Sequence, residues 1–341
     1  MKCRMDQTEP KILPAPPNII ASLRAGFDAI ANQIIIIMIP ISIDLFLWLG
    51  PHLQVKTLVN QLINSMTSSA DLSSIQSGEV ITSSMDVLRT TAVQFNILSL
   101  LRTIPVGIPS LMAARLPIEI PKGIPIFFDI SNPFGVVGIA IGAMLVGLII
   151  GCFYYILIGQ IALNGKIDLG GIIKNWSWSS IQVISMALAL LLLFIVISIP
   201  SMCAISALSL FGLPLSQFAI FIYIGVILWI AFPLLFAAHG IFVYHINAFA
   251  SVQRSLLMSR MTLPTTSLFI LSILVISEGF DLLWRIPPES SWLTLVGVGG
   301  HAFISSALLA ASFVYYRNAD LWTQETIKML KSQRVLPKKS S

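Results

Sequence analysis

Apolar stretches recur along this chain, and six of them approach the roughly 20 residues that a helix needs to cross a membrane. Between them lie segments that carry most of the charges, prolines and hydroxyl side chains. The pattern predicts an all-α protein, a polytopic transmembrane helix bundle of about six spans with interfacial amphipathic helices. The predicted spans cover residues 33–50, 134–163, 180–200, 216–239, 265–285 and 294–316.

Three further segments have the spacing of amphipathic helices, in which apolar residues form one stripe. They are residues 16–33, 246–261 and 318–331. The first begins near Asn18, a residue type that often caps helices, and places Leu23, Phe27 and Ile30 on one face. Helices of this kind typically lie in the plane of the lipid headgroups. We therefore expect all three along the inner leaflet.

A competing seventh span covers residues 92–112, which are apolar but carry Arg102 at their centre and are broken by Pro105 and Pro109. An arginine at the centre of a span costs about 2.5–3.5 kcal/mol on insertion scales. The segment is therefore expected to be re-entrant or interfacial. It belongs to a cap region, residues 51–132, in which the Ser- and Thr-rich residues 65–84 are expected to form a polar loop.

The composition excludes a soluble globular domain, because 56% of the 341 residues are hydrophobic and only 10% are charged. The formal net charge of +5 comes from basic residues that flank the apolar stretches, so the expected partner is the lipid bilayer and not nucleic acid. With the N-terminus inside, most of the 20 Lys and Arg residues fall in inside segments. Both termini are therefore expected to be cytoplasmic.

These expectations divide the chain into five regions. They are a cytoplasmic N-terminus with an interfacial helix (1–32), a first span (33–50), an extracytoplasmic cap (51–132), a five-span bundle (133–316) and a basic cytoplasmic tail (317–341).

Glycines in the second span suggest how it packs. Gly138 and Gly142 share one helix face, while Gly147 and Gly151 share another that lies well round the helix. Each pair has the G-xxx-G spacing that lets two backbones approach closely in lipid. Two such faces predict a central helix that packs on both sides.

Ionisable side chains inside spans are costly, and five of them stand out here: Asp44, Glu278, Asp281, Arg285 and His301. Their depths predict that Glu278 meets His301, and the i, i+4 spacing predicts that Asp281 pairs with Arg285. One interpretation is interhelical stabilisation, with Asp44 satisfied by backbone or serine groups. The other is a proton- or solute-handling site in the outer half of the bundle.

No motif predicts a catalytic residue, a metal site or a cofactor. The four histidines lack metal-ligand spacing, and no phosphate-binding loop or nucleophile elbow is present. The leading expectation is a non-enzymatic accessory or assembly component, with a possible protein partner in the membrane. The alternative is a secondary transporter or permease that uses Asp44, Glu278 and His301, and a lipid-modifying membrane enzyme is the third possibility.

Residues 232–276 carry a resemblance to a known group of proteins. A span ending near Pro233 leads into a helix with Ser255, Leu256, Ser259 and Arg260, followed by another span. This arrangement resembles uncharacterised bacterial polytopic proteins, including the membrane region of some glycerophosphodiester phosphodiesterases. Met261 stands where a glycine is common, and no hydrolase activity is implied because the phosphodiesterase domain is not in this sequence. The resemblance implies a multi-pass protein of a bacterial plasma membrane.

Overall fold

A computed structural model describes residues 15–69, 78–115, 117, 119–210 and 215–335, and most of them are helical. The helices are α1 (Ile19–Asn32), α2 (Met38–Leu49), α3 (Lys56–Ser69), α4 (Gly78–Gln94), α5 (Met112–Arg115), α6 (Pro133–Asn164), α7 (Leu169–Leu210), α8 (Leu215–Leu234), α9 (Ala237–Tyr244), α10 (Ala248–Met261), α11 (Leu263–Trp284) and α12 (Thr294–Val335). Turns of 3₁₀-helix cover Ile34–Ile37 and Ile97–Leu101. The basic residues Lys2, Arg4, Lys11, Lys338 and Lys339 lie outside the described residues.

The described residues contain five helices that are long and apolar enough to cross a membrane: α6, α7, α8 together with α9, α11, and α12. A sixth span results if α1 and residues 34–49 count as one, although they meet at a bend of 89°. The predicted all-α bundle of about six spans is thus confirmed. We call the end of the bundle with the 285–293 connection the upper end, and the end with the 165–168 connection the lower end.

Some helices continue beyond the predicted end of their span. This happens where the apolar stretch ends but no residue breaks the helix. The last span was predicted to end at residue 316, with a separate amphipathic helix in the tail. The structure instead has one helix, α12, of 42 residues. No proline or glycine occurs between His301 and Val335, so the backbone continues through the change in polarity.

Helix α1 corrects the prediction of a membrane-surface helix, because its apolar stripe packs along α12. A methyl group at Gly26 would collide with the backbone of Ala307 and Ala311. One helical turn on, Ile30 is fully buried, and the rings of Phe27 and Phe303 meet edge to face with centroids 6.0 Å apart. The small side chain at position 26 permits this close approach, so α1 belongs to the bundle.

Helix α10 is also held against the bundle, at the lower end. Its Arg254 forms two hydrogen bonds to the buried carboxylate of Asp320 on α12, at 2.8 and 2.7 Å. The guanidinium lies over the ring of Tyr244, 4.0 Å from the centroid. The hydrogen-bonded carboxylate raises the pKa of Arg254. Much of this predicted interfacial helix therefore contacts protein.

The core lies between α6, α9 and α12. The Tyr154 hydroxyl on α6 is 2.7 Å from the Ser306 hydroxyl on α12, and both side chains are buried. His239 on α9 is buried among the rings of Phe236, Phe313 and Tyr316, with its Nε2 2.8 Å from the Ser312 hydroxyl. Aromatic packing thus fills the lower half of the bundle.

The cap region is more helical than predicted. Helices α3 and α4 extend into the stretch 65–84 that was expected to be a polar loop. Two strands, β1 (His52–Gln54) and β2 (Phe127–Asp129), pair in parallel, with His52 opposite Phe127. This pairing closes the cap at the upper end, since β1 follows α2 and β2 precedes α6.

Residues 95–111, which include most of the proposed seventh span, form no membrane-length helix. We call residues 97–111 the inserted loop, because Val106, Ile108 and Leu111 are buried inside the bundle. The loop lies against α6: a methyl group at Gly147 would collide with the Leu101 carbonyl oxygen. At Gly151 it would lie 3.1 Å from the backbone of Gly107. The re-entrant option fits this path.

The inserted loop also corrects the packing predicted for α6. Its Gly147 and Gly151 face receives the irregular loop and not a second helix. The Gly138 and Gly142 face is open, since nothing in the described part of the chain comes within 4 Å of a methyl group placed at either position. Of the two predicted glycine faces, the Gly147 and Gly151 face is therefore the closely packed one among the described residues.

We predict that Gly147→Ala destabilises the protein and that Gly142→Ala does not. The added methyl group at position 147 meets the Leu101 carbonyl, and overpacking of this kind costs about 1–3 kcal/mol. The two glycines lie on the same helix, so the second variant controls for helix propensity. Thermal unfolding in one detergent, followed by loss of helical circular dichroism, makes the comparison. Equal midpoints would show that the loop does not lie against α6.

Candidate functional site

Asp44 on α2 is fully buried and joins α2 to the end of the inserted loop. Its carboxylate accepts hydrogen bonds from the Ser110 hydroxyl at 2.5 Å, the Leu111 amide at 3.2 Å and the Met112 amide at 2.9 Å. A buried carboxylate with three donors is well compensated for the loss of water. This is the satisfied arrangement that the sequence suggested for Asp44, and it fixes the loop in place.

Asp281 on α11 is the partner of His301 on α12. The Asp281 carboxylate is 2.7 Å from His301 Nδ1, and its other oxygen is 3.6 Å from the Arg285 guanidinium. The predicted pair of Asp281 and Arg285 is present. The predicted contact of Glu278 with His301 is wrong: the Glu278 side chain is exposed and has no ion-pair partner among the described residues.

The register of α11 on α12 explains this correction. Trp284, the last residue of α11, packs on two glycines of α12, and its ring lies against Gly300. A side chain at Gly297 would collide with the Trp284 carbonyl oxygen. Because of this packing, His301 on α12 lies opposite the last full turn of α11, the turn that carries Asp281. Equal depth in the membrane does not predict the partner of His301, because the close packing of Trp284 on Gly297 and Gly300 sets the register of the two helices.

Arg102 on the inserted loop completes what we call the charge cluster: Asp44, Arg102, Asp281, Arg285 and His301. Arg102 lies within electrostatic range of the Asp281 carboxylate, and His301 lies within range of the Asp44 carboxylate. The Arg102 guanidinium makes one long hydrogen bond, 3.4 Å, to the Ser110 carbonyl. In the sequence Arg102 stands out as an obstacle to a span, but an arginine in an apolar stretch also predicts a polar partner or a water-filled cavity.

A cavity of about 280 Å³ opens beside the charge cluster. We call it the polar cavity. Arg102, Thr103 and the backbone of the inserted loop line one side, while Tyr155 of α6 and Ser305 of α12 line the other. The Ser305 hydroxyl donates to the His301 carbonyl oxygen at 2.6 Å, so the cavity lies one helical turn from the Asp281 and His301 pair.

An apolar groove of about 330 Å³ adjoins the polar cavity. It lies between α7 and α8 and is lined by side chains such as Leu193, Phe194 and Ile230. Ile104 and Pro105 of the inserted loop line both spaces. The two spaces therefore meet at the loop.

No group of three or more His, Cys, Asp or Glu side chains within the described ranges could hold a metal ion. The candidate residues from the sequence thus fall into three groups according to their location in the structure. Asp44, Asp281, Arg285 and His301 come together with Arg102, Glu278 stands apart, and the glycines of α6 position the loop or face open space.

Comparison with known proteins gives no relative: no protein-family model matches the chain, and no curated protein or solved structure is significantly similar to it. The resemblance to bacterial polytopic proteins therefore stays a prediction.

We predict a measurable coupling between Asp281 and His301 and none between Glu278 and His301. A double-mutant cycle with Asp281→Ala and His301→Ala should give a coupling free energy of about 0.5–3 kcal/mol, because the two side chains share a short hydrogen bond. The matched cycle with Glu278→Ala should be additive. Unfolding free energies from denaturant titration in mixed micelles provide the measurement. A larger coupling to Glu278 than to Asp281 would contradict the register described above.

Proposed function

We propose that this protein is a membrane carrier that binds a small anionic solute in the polar cavity. The observation that supports it is an irregular loop whose Val106 and Ile108 are buried in an apolar helix bundle and whose exposed Arg102 lines a cavity of polar and apolar residues. Non-helical backbone at membrane depth is tolerated only where protein or a water-filled cavity surrounds it. Loops and broken helices of this kind typically form the binding sites of transporters.

The expected charge of the solute follows from which groups of the charge cluster already have partners within the protein. Asp44 has three hydrogen-bond donors, and Asp281 has both His301 and Arg285. Arg102 has no ion pair shorter than 4.0 Å among the described residues, and it lines the cavity directly. A guanidinium in this position favours a carboxylate or phosphate group over a cation.

The orientation and location in this proposal rest on the distribution of basic residues. Most of the 20 Lys and Arg residues would lie inside if both termini are cytoplasmic. The polar cavity then opens towards the outer half of a bacterial plasma membrane.

A carrier must expose its binding site to each side of the membrane in turn, and this is the property to test. We predict that the Ser305→Cys variant, made in a chain without its natural cysteines, reacts with membrane-impermeant thiosulfonate reagents from both sides of oriented vesicles. The exposed Ser290→Cys variant, in the 285–293 connection, should react from one side only and serves as the control. A Ser305→Cys variant that reacts from neither side, or from one side only, would contradict transport.

The same variant tests the role of Arg102. A sulfonate-bearing reagent should react faster than a trimethylammonium-bearing reagent, since the guanidinium raises the local concentration of anions. Arg102→Gln should lower this ratio by about tenfold or more. A ratio that Arg102→Gln leaves unchanged would remove Arg102 from the site.

An accessory role is the second candidate, and one observation favours it. The upper half of α6 exposes Phe134, Val137 and Ile141 beside Gly138 and Gly142, whose surroundings are open within the described chain. Such a face suits a transmembrane helix of a protein partner.

If the accessory role holds, native mass spectrometry of the protein from its own membranes should show a stoichiometric protein partner. The double variant Gly138→Leu and Gly142→Leu should lose that partner, because leucine side chains block close helix approach. Gly279→Leu, at an equally open position on α11, should retain it. Loss of the partner in all variants, or no partner at all, would count against this role.

A further inference from the structure

Two residues of the inserted loop separate spaces of opposite character. Ile104 and Pro105 line the polar cavity on one side and the apolar groove on the other. The polar cavity carries Arg102, while the groove is lined by apolar side chains of α7 and α8. A molecule that occupies both spaces must therefore join a polar group to an apolar chain.

From this juxtaposition we propose that the solute is a single-chain anionic amphiphile, such as a fatty carboxylate or an alkyl phosphate. This inference rests on the proposed carrier function and names its substrate class. The head group lies beside Arg102 and Ser305 in the polar cavity. The chain passes Ile104 and follows Leu193 and Ile230 along the groove.

The groove has the properties that an alkyl chain requires. It runs between two helices whose surrounding side chains are apolar and exposed, so a chain can enter it sideways from the lipid. Burial of each methylene group then adds to the affinity. An anion without a chain would gain only the contact with Arg102, and a cationic amphiphile would place its head against the guanidinium.

Protection of the Ser305→Cys variant from a neutral thiol reagent tests the inference. Dodecanoate should slow the reaction with N-ethylmaleimide by about tenfold in nanodiscs of phosphatidylcholine. Butyrate, which has the same head group without the chain, and dodecyltrimethylammonium, which has the chain with the opposite charge, should not protect. The Ser290→Cys variant should react at one rate throughout, which controls for effects of the amphiphile on the membrane.

Two substitutions assign the protection to the two spaces. Arg102→Gln should abolish protection through loss of the head-group contact, and Ile230→Trp should abolish it by filling the groove. Ile224→Trp, at an exposed position on the same helix but outside the groove lining, should leave protection unchanged.

The outcomes separate the inference from the carrier proposal. If Ser305→Cys reacts from both sides but butyrate protects as well as dodecanoate, the carrier stands and the amphiphile is wrong. The same holds if dodecanoate protects the cysteine equally in the Ile230→Trp and Ile224→Trp variants. If Ser305→Cys reacts from one side only, the carrier proposal fails, and if it reacts from neither side, both fail.

Discussion

The hydrogen bonds of Asp44 are the contact on which the upper half of the bundle depends. An irregular loop inside an apolar bundle leaves backbone amides without the partners that a helix would provide. The Asp44 carboxylate accepts from the amide of Leu111 at the end of the loop, from the amide of Met112 at the start of α5, and from the hydroxyl of Ser110. The acid is therefore buried because the loop needs an acceptor there, and the loop is ordered because the acid is present.

Close packing on glycine decides where the loop and the neighbouring helices lie. Gly147 and Gly151 allow loop backbone to lie against α6, and Gly26 allows α1 to lie against α12. In each case a methyl group would meet backbone atoms or come within 3.1 Å of them. Since lipid offers no hydrophobic drive for helix association, such close contacts supply much of the packing energy in a membrane.

The sequence predicts the spans well because span length is a local property of composition. It predicts helix ends poorly, as α12 shows, because a change in polarity marks a membrane boundary and does not stop a helix. The partner of His301 depends on how Trp284 packs on Gly300, which is a tertiary contact that depth counting does not include. The i, i+4 pair of Asp281 and Arg285 was predictable because one helix determines it.

The two interpretations of the ionisable residues can hold together, because stabilisation of the fold concerns the acids and the proposed solute binding concerns Arg102. Asp44 accepts three hydrogen bonds, and Asp281 has one short hydrogen bond to His301 with the Arg285 guanidinium 3.6 Å away, as expected of groups that stabilise the fold. Arg102 has a single long hydrogen bond and lines a cavity. Asp44 thus holds the end of the inserted loop and Asp281 joins α11 to α12, while the loop places Arg102 beside the polar cavity. The irregular backbone is kept inside the apolar bundle by the hydrogen bonds of Asp44 and by close packing on Gly147 and Gly151.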